Sequence, residues 1–384
     1  MRPLCYRSIM FLSTLEKVRC PRKNCASPLK LIARKGAPLP GPEQDIRQGS
    51  LECTKCHRPY PILEGVAILV SDPREYVLQH VKGISQIVPE VQIPKDWLED
   101  YREAMAEIES EHIEEDLESR RVTSLYVMNH YLRADQACTW WKTRSGSFSP
   151  EIEALVKRHW DHGPFSKILE KVDQHFSTRD LPETLELGCG VGGLARVLQG
   201  RVKSYLGVDS SFASIAIARH LALGCEYVGT IKFPEDLLLG ATSRTMDIPP
   251  PPTRSQAQLA DFVVGHLEEA PLAPSSFDLS IVLNAIDMLE KPAQLPELQA
   301  RTLKKEGIAL QSCPYIWHES VAKSLRGRLP RGMVDSARAV EWLYEQTGLQ
   351  VKDSLDQIPW LFFKHVRQIE LYSVHLFVSQ KQGA

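Results

Sequence analysis

A glycine-rich stretch, LELGCGVGGLARVL at residues 185–198, constrains the fold of this chain more than any other segment. It has the form of an apolar strand, a tight turn and the start of a helix, and Gly188, Gly190 and Gly193 satisfy the spacing G-x-G-x-x-G. Asp209 ends the next apolar segment, SYLGVD. Glycines let the backbone approach a ligand, and a carboxylate after the second strand can accept hydrogen bonds from a ribose diol. The pattern therefore predicts a site for an adenosine-containing cofactor.

Short apolar runs alternate with helical stretches from residue 181 to the end of the chain. The runs are TLELG, SYLGVD, DFVVG, FDLSIVLN and GIALQSC. This alternation favours an α/β fold in which a parallel sheet is covered on both faces. The late segments LQVKDSLDQ and IELYSVHLFVSQ predict two strands that pair antiparallel. Residues 226–260 contain PPPP, which cannot continue a helix or a central strand, so we expect an insertion there that acts as a lid or a mobile loop.

Several ordered motifs narrow the choice of cofactor. LELGCGVGG, then GVDSS, SFDLSIVLNAIDMLEKP and LKKEGIALQSCPY resemble the class I methyltransferases that use S-adenosylmethionine, over residues 181–384. The resemblance implies a Rossmann-like sheet with an antiparallel last strand. It also implies that the glycines cradle the amino-acid part of the cofactor, that Glu186 orders the glycine loop and that Asp209 holds the ribose. The predicted cofactor-binding residues are Glu186, Gly188, Gly190, Gly192, Asp209, Ser210, His266, Leu267 and Asn284.

One position departs from the methyltransferase pattern. In VVGHLEEAPL, His266 stands where these enzymes usually carry an acidic residue that accepts a hydrogen bond from the adenine amino group. A neutral histidine can accept through one ring nitrogen, and the backbone at Leu267 offers a second route. The alternative is a non-catalytic scaffold in which His266 marks a decayed cofactor site.

The methyl acceptor is addressed by a narrower resemblance. NAIDMLEKPAQL, SCPYIWHES and IPWLFFKHVRQIELYSVH resemble the methyltransferase domain attached to the ovothiol-forming sulfoxide synthases, which implies N-methylation of a small imidazole- or amino-acid-like acceptor. Asn284 and Asp287 follow the fourth strand, at the edge where open sheets bind ligands. Tyr315 and His318 follow the fifth. We take Asp287, Asn284, Tyr315 and His318 as candidate catalytic residues, with Trp317 as a further ring for stacking; the alternative is that Tyr315 and Trp317 pack the sheet and that His318 is a surface histidine.

Two cysteine pairs lie near the N-terminus. CPRKNC supplies Cys20 and Cys25, and CTKC supplies Cys53 and Cys56. Four thiolates in two close pairs suit tetrahedral coordination of Zn²⁺ in a structural site, and the alternative is a set of reduced structural thiols. His57 lies beside Cys56, although adjacent residues seldom reach the same ion.

The segment after the second pair adds to the interpretation. YPILEGVAILV resembles the end of the small zinc-ribbon proteins that activate several methyltransferases, and the resemblance covers residues 15–72. It implies a ribbon that adds a strand to the methyltransferase sheet, here within one chain. Residues 73–180 carry helical patterning, as in DWLEDYREAMAEIESEHIEEDLESRRV, and are predicted to form a helical linker. The chain would then consist of a ribbon (15–72), a linker (73–180) and a methyltransferase domain (181–384).

Composition bears on partners and compartment. The 384 residues carry a formal charge of −2 and the sequence pI is about 6.6, which disfavours a dedicated nucleic-acid binder. A small-molecule acceptor is preferred, and an RNA- or protein-modifying enzyme that uses the ribbon for substrate recognition is the alternative. No run approaches the roughly eighteen apolar residues needed to span a bilayer. SIMFL is shorter than the apolar core of a signal peptide, so we expect a cytoplasmic protein without membrane contact.

Overall fold

The computed structural model describes most of the chain, namely residues 10–32, 45–111, 123–131, 149–161, 163–222, 227–236, 240–248, 259–365 and 368–383. Within these ranges, every helix is too short or too polar to traverse a bilayer. The PPPP segment at 249–252 and the second half of the acidic helical stretch lie outside the described residues.

Seven strands of the second half of the chain form the centre of one eleven-stranded sheet. They are β7 (Glu183–Leu187), β8 (Ser204–Asp209), β11 (Leu259–Val264), β12 (Phe277–Leu283), β13 (Leu303–Cys313), β14 (Leu349–His365) and β15 (Gln368–Lys381). Their order across the sheet is β11-β8-β7-β12-β13-β15-β14. The first five are parallel, whereas β15 is antiparallel to both β13 and β14. The predicted Rossmann-like sheet with antiparallel final strands is confirmed.

The N-terminal region extends this sheet at the β11 edge. Its strands are β1 (Met10–Phe11), β2 (Leu29–Ile32), β3 (Asp45–Ile46), β4 (Gly49–Cys53), β5 (Pro59–Leu63) and β6 (Val66–Ile68). β6 pairs in parallel with β11 through Ala67 and Ile68, and β5, β4 and β2 follow antiparallel, while β1 and β3 pair separately. The expectation that the apolar segment after the second cysteine pair adds a strand to the sheet is confirmed by this pairing.

Helices cover both faces of the sheet. They are α1 (Pro73–Gln79), α2 (Val81–Ser85), α3 (Leu98–Glu111), α4 (123–131), α5 (Pro150–Asp161), α6 (Pro164–His175), α7 (Gly193–Val197), α8 (Phe212–Ala222), α9 (Gln294–Thr302), α10 (Glu319–Arg326) and α11 (Ser336–Glu345). Side-chain caps start two of them: Asp72 accepts a hydrogen bond from Glu75 N in α1, and Asp335 accepts one from Arg338 N in α11.

The side chains of a strand alternate between the two faces, so the sheet has two apolar cores. On β11, Phe262 and Val264 join the cluster that contains α1–α3 and α8, whereas Val263 joins the cluster beneath the N-terminal strands, α9 and α11. The predicted helical linker therefore contributes to the core, and its aromatic residues Trp97 and Tyr101 are buried there. Removing such residues from water stabilises the docking of the linker on the sheet.

The insertion between β8 and β11 differs from its prediction. Its described part is a hairpin of β9 (Tyr227–Asp236) and β10 (Gly240–Ile248), which pair antiparallel over their length. Residues 227–236 and 240–248 are therefore paired strands and not a loop, and the expectation that the insertion acts as a lid stays a prediction. YVGTIKF contains several β-branched and aromatic residues (Tyr227, Val228, Thr230, Ile231 and Phe233), which favour a strand, a signal that the nearby proline run obscured.

Candidate active site

A cavity of about 1200 Å³ opens at the carboxyl ends of the parallel strands. The strand order reverses between β7 and β12, and a crevice for a ligand forms at such a point in an open α/β sheet. The turns after β7, β8, β11, β12 and β13 all line the cavity, and so do side chains of α4 and of the β14–β15 hairpin. The sheet therefore brings segments that are far apart in sequence to one edge.

The glycine loop follows β7 directly. Gly188 and Gly190 line the cavity with φ of +76° and +51°, a region that residues with a side chain rarely adopt. The backbone N–H of Gly190 donates to Asp209 Oδ2 at 2.9 Å. This bond ties the glycine loop to the end of β8, so the two predicted cofactor motifs form one surface.

Gly192 has a different role from its neighbours. It lies outside the cavity lining, and a Cβ at this position would lie 2.8 Å from Ala218 Cβ. The structure thus corrects the expectation that Gly192 cradles a ligand. A residue without a side chain is required at position 192 because α8 packs against the turn there.

Asp209 and the two serines after it line the cavity. Asp209 Oδ1 accepts from Ser211 N at 2.8 Å, in addition to the bond from Gly190. Burial raises the pKa of Asp209, and the hydrogen bonds from the backbone of Ser211, Gly190 and Ser210 oppose this rise. Each oxygen keeps capacity for a further hydrogen bond from a ligand hydroxyl.

Glu186 lies on β7 at the floor of the cavity, where it is 3% exposed. The Tyr205 hydroxyl donates to Glu186 Oε2. Burial, followed by the charge of Asp209, raises the pKa of Glu186 well above its usual value. The carboxyl group is therefore held beneath the glycine loop by a partner from β8.

The turn after β11 presents His266, Leu267 and Glu268 to the cavity. His266 is exposed and lies edge-on to the Tyr76 ring, with 6.2 Å between centroids. Glu268 accepts a hydrogen bond from Lys291 N at 3.1 Å. An acidic residue is thus present in this wall two positions after His266, and the adjacent letters EE in GHLEE were the signal that sequence reasoning missed.

Asn284 and Asp287 line the cavity after β12, as predicted from their position. Asn284 has φ of +51°, and its Oδ1 accepts from Ser312 Oγ at 3.1 Å. Asp287 is 2% exposed, and its Oδ2 accepts from Ile316 N at 2.7 Å. Asp287 therefore fixes the segment after β13, and its carboxylate also forms a hydrogen bond with the Cys313 thiol.

The structure corrects the prediction for Tyr315. Its backbone is left-handed (φ +60°), and its hydroxyl is hydrogen-bonded to His375 Nδ1 at 2.7 Å, outside the cavity lining. Trp317 does line the cavity and donates through Nε1 to Ser336 Oγ at 3.1 Å. His318 lines it as an exposed residue. Of the aromatic pair considered as a stacking surface, Trp317 is the one available.

Other lining residues were missed by sequence reasoning. Helix α4 contributes Tyr126 and His130, and the β14–β15 hairpin contributes Trp360, Phe362, Lys364 and Tyr372. Trp360, Phe362 and Lys364 are spaced two apart on β14, but IPWLFFKH is apolar at both alternate sets of positions, so the sequence carries no signal that assigns them to the cavity. The α4 residues come from the region that the sequence predicted to be a linker.

His130 packs directly on the glycine loop. A Cβ on Gly193 would lie 2.6 Å from His130 Nδ1, so glycine is required there. Burial lowers the pKa of His130 to about 4, and among the described residues Nδ1 has no hydrogen-bond partner. A neutral imidazole therefore forms part of the cavity wall near neutral pH.

The N-terminal region holds the β11 turn from both sides. Arg19 N donates to Pro271 O at 2.7 Å, Ala273 N donates to Lys17 O at 2.8 Å, and Leu69 N donates to Val264 O at 2.8 Å. These bonds flank the segment that carries His266, Leu267 and Glu268. The position of this cavity wall therefore depends on the N-terminal strands.

Tyr76 of α1 makes a further connection. Its hydroxyl donates to Ser210 O at 2.6 Å and accepts from Phe212 N at 3.0 Å, at the first turn of α8. The hydroxyl is thus bonded on both sides next to Asp209, and Tyr76 is 3% exposed. The segment that follows the ribbon thereby supports the predicted cofactor turn.

The four predicted metal ligands are brought together. The sulfur atoms of Cys20, Cys25, Cys53 and Cys56 all lie within 4.8 Å of one another. Cys20 and Cys56 are 3.7 Å apart, and Cys25 and Cys53 are 3.5 Å apart. The backbone N–H groups of Lys55 and Cys56 point to Cys53 Sγ at 3.4 Å. His57 is directed instead to Glu52, at 3.3 Å.

Comparison with known proteins gives one family match. Residues 185–310 match the model of a methyltransferase domain family. No curated protein matches the chain in sequence. Among solved structures, the chain is similar to the YcgJ protein of Bacillus subtilis, with 13% identity over 58% of this chain and 100% of that chain and a TM-score of 0.39. It is also similar to a SAM-dependent methyltransferase of Methanosarcina mazei, with 14% identity, 56% and 98% coverage and a TM-score of 0.37.

The family match covers the glycine loop, Asp209, the β11 turn and the β12 turn, all of which border the cavity. The strand order and the antiparallel final strands extend the same architecture beyond residue 310. The second half of this chain therefore contains a class I S-adenosylmethionine-dependent methyltransferase domain.

Proposed function

We propose that the chain is an S-adenosylmethionine-dependent methyltransferase that methylates a nitrogen of a small imidazole- or amino-acid-like acceptor. The observation that carries this proposal is the single cavity at the carboxyl edge of the sheet. The glycine loop and Asp209 lie in one part of it, and Asn284, Asp287 and an aromatic wall border the rest. A volume of about 1200 Å³ exceeds the roughly 300–1,000 Å³ of most ligand pockets, which is consistent with two ligands held side by side.

The residues at the β7–β8 end suit the cofactor. The backbone at Gly188 and Gly190 would hold its amino-acid part, and the free capacity of the Asp209 carboxylate suits the ribose hydroxyls. His266 and Leu267 would border the adenine. S-adenosylmethionine, when bound, supplies a methyl group on a positively charged sulfur.

The chemistry requires alignment more than acid catalysis. A neutral acceptor nitrogen attacks the methyl carbon in line as the carbon–sulfur bond breaks, and the positive charge passes from sulfur to the acceptor. Alignment alone accounts for up to roughly 7–11 kcal/mol of barrier reduction in intramolecular models. Asn284 and Asp287, which both line the cavity, would orient the ring by accepting its N–H, and Asp287 would take the proton released after transfer.

The N-terminal cysteines are proposed to hold a structural Zn²⁺. Four thiolates about 2.3 Å from one ion at tetrahedral corners are about 3.8 Å apart, close to the 3.5 and 3.7 Å separations described above. The backbone N–H groups of Lys55 and Cys56 donate to Cys53 Sγ, and such donors orient a metal ligand. All four positions would be filled by protein, so this site leaves no place for a substrate.

Methyl transfer from labelled cofactor tests the proposed activity. The zinc-loaded full chain is incubated with histidine-like metabolites, total RNA and protein extract in parallel. We expect label in the small-molecule fraction. The rate of methyl transfer should fall at least tenfold in Asp287→Asn and stay unchanged in the control Asp173→Asn, since Asp173 lies in an exposed ion pair. Label in RNA or protein would contradict the acceptor class, and no label in any fraction would contradict the activity.

A further inference from the structure

The β14–β15 hairpin presents one continuous face to the cavity. Trp360, Phe362 and Lys364 alternate along β14 and all line it, as does Tyr372, the direct cross-strand partner of Trp360. Leu361 and Phe363 point to the opposite side, where both are buried. This face forms one wall of the cavity, and we call Trp360, Phe362, Lys364 and Tyr372 the hairpin wall.

Aromatic rings from the helices complete this wall. Tyr126 meets Phe362 edge to face with 5.7 Å between centroids, and Phe165 lies 5.7 Å from Trp360. Several ring edges and faces thus border one part of the cavity. Such a surface favours a planar ring, because stacked and edge-on pairs gain energy beyond the burial of their area.

The charges of the cavity are unevenly distributed. Its described lining includes five acidic residues, which are Glu186, Asp209, Glu268, Asp287 and Glu290. Glu186, Asp209 and Glu268 border the part proposed for the positively charged cofactor, whereas Asp287 and Glu290 follow β12, beside the part proposed for the acceptor. Lys364, in the hairpin wall, is the one lysine or arginine among the described lining residues.

Lys364 is incompletely neutralised. Its Nζ lies 3.5 Å from Glu370 Oε2 and 5.0 Å from the centre of the Phe362 ring. Glu370 also accepts a hydrogen bond from the Tyr372 hydroxyl, so it shares its charge between two partners. The lysine side chain is 33% exposed, which leaves donors that a ligand can use.

We propose that the methyl acceptor carries a carboxylate that pairs with Lys364 while its planar ring rests on the hairpin wall. The inference builds on the proposed function and narrows its acceptor class. A single cation that already has one acidic neighbour suits a monoanion better than a phosphate. The same cation repels a ring that bears only an ammonium group, so Lys364 determines specificity between acidic and basic acceptors.

Paired probes with one ring and opposite charges test this. Imidazole-4-acetate and histamine are titrated calorimetrically into the full chain saturated with S-adenosylhomocysteine. We expect imidazole-4-acetate to bind at least tenfold more tightly than histamine. Lys364→Gln should reduce that ratio to within about threefold and Lys364→Glu should reverse it, whereas Lys352→Gln, an exposed lysine bonded to Gln350, should leave it unchanged.

The outcomes separate the two proposals. Histamine binding as tightly as imidazole-4-acetate would overturn the inference, and so would a preference that survives in Lys364→Gln or the absence of binding by either probe. S-adenosylhomocysteine failing to bind in the preceding titration would overturn the proposed function itself. Thermal unfolding of each variant confirms that the compared proteins are folded.

Discussion

The two edges of the methyltransferase sheet are extended in different ways. At the β11 edge, the N-terminal strands add to the sheet and reach the cavity through backbone hydrogen bonds around residues 264–273. At the β13 edge, the β14–β15 hairpin adds to the sheet and reaches the cavity through side chains. The hairpin thus borders the cavity directly, whereas the N-terminal strands support a turn that borders it.

The difference in contacts indicates a difference in role. Backbone bonds position a turn whatever its side chains are, so the N-terminal edge supports the wall that carries His266 and Leu267. Side chains of varied shape and charge discriminate between ligands, so the hairpin edge selects the acceptor. Substitutions at the N-terminal edge should therefore change stability and cofactor affinity together, whereas those in the hairpin wall should change acceptor preference alone.

Removal of the metal site should give the largest effect. Cys53→Ser combined with Cys56→Ser leaves two of four ligands, and a structural zinc contributes its binding energy to folding. We expect loss of bound zinc by elemental analysis and loss of the folded β11 turn by hydrogen exchange. His57→Gln is the matched control, because His57 is exposed and bonded to Glu52. An unchanged unfolding midpoint in the double variant would contradict a structural role.

Breaking a buried ion pair at the same edge should give the next largest loss of stability. Arg219 is fully buried and pairs with Asp261 of β11, which also accepts a hydrogen bond from Thr14 of the N-terminal region. Asp261→Asn leaves the guanidinium without a counter-charge, which costs roughly 3–5 kcal/mol in buried pairs. Urea unfolding measures this. Asp173→Asn, from the exposed pair with Arg201, should cost at most about 1 kcal/mol. Equal costs for the two variants would contradict the assigned burial.

Tyr76→Phe tests whether the N-terminal edge reaches the cofactor. The change removes one hydroxyl and leaves Ser210 O and Phe212 N without that partner, a cost of about 1–3 kcal/mol. We expect S-adenosylhomocysteine to bind several-fold more weakly. Tyr101→Phe is a buried control on α3, remote from the cavity lining. If both variants bind the cofactor product equally well, Tyr76 acts only in packing.

The smallest predicted effect concerns pH. Burial lowers the pKa of His130 from 6.5 to about 4, so the unfolded chain binds more protons between these values. The contribution of the neutral imidazole to stability is therefore complete above pH 6.5 and falls as the pH drops toward 4. His130→Gln should flatten this part of the stability profile relative to wild type, as measured by urea unfolding at each pH. Burial also lowers the pKa of His159, so part of the dependence of stability on pH should remain in His130→Gln.

Local patterns allowed much of the site to be predicted. The glycine loop, Asp209, the β12 turn and the four cysteines are defined by spacings within short segments, and each lies where its motif indicated. Gly192 was assigned to the cofactor site by the methyltransferase resemblance, and Tyr315 was assigned to the acceptor site by its position after the fifth strand. A left-handed backbone turns the Tyr315 ring toward His375, and the packing of α8 occupies the space beside Gly192.

The hairpin wall and α4 could not be assigned to the cavity from the sequence, because their approach depends on tertiary contacts. One such contact joins Asn129 of α4 to Phe363 of β14: the Asn129 amide accepts from Phe363 N at 2.7 Å and donates to Phe363 O at 3.0 Å. This pair of bonds fixes α4 on the hairpin. The sequence pattern within either segment does not predict this contact.

Binding of S-adenosylhomocysteine to the zinc-loaded full chain, followed by isothermal titration, tests the central claim most directly. We predict one molecule bound per chain, at least tenfold weaker binding by Asp209→Asn, and unchanged binding by Lys364→Gln, since Asp209 ends β8 whereas Lys364 lies in the hairpin wall proposed for the acceptor. No binding by the wild-type chain, or equal binding by wild type and Asp209→Asn, would contradict the assignment of this cavity to the cofactor.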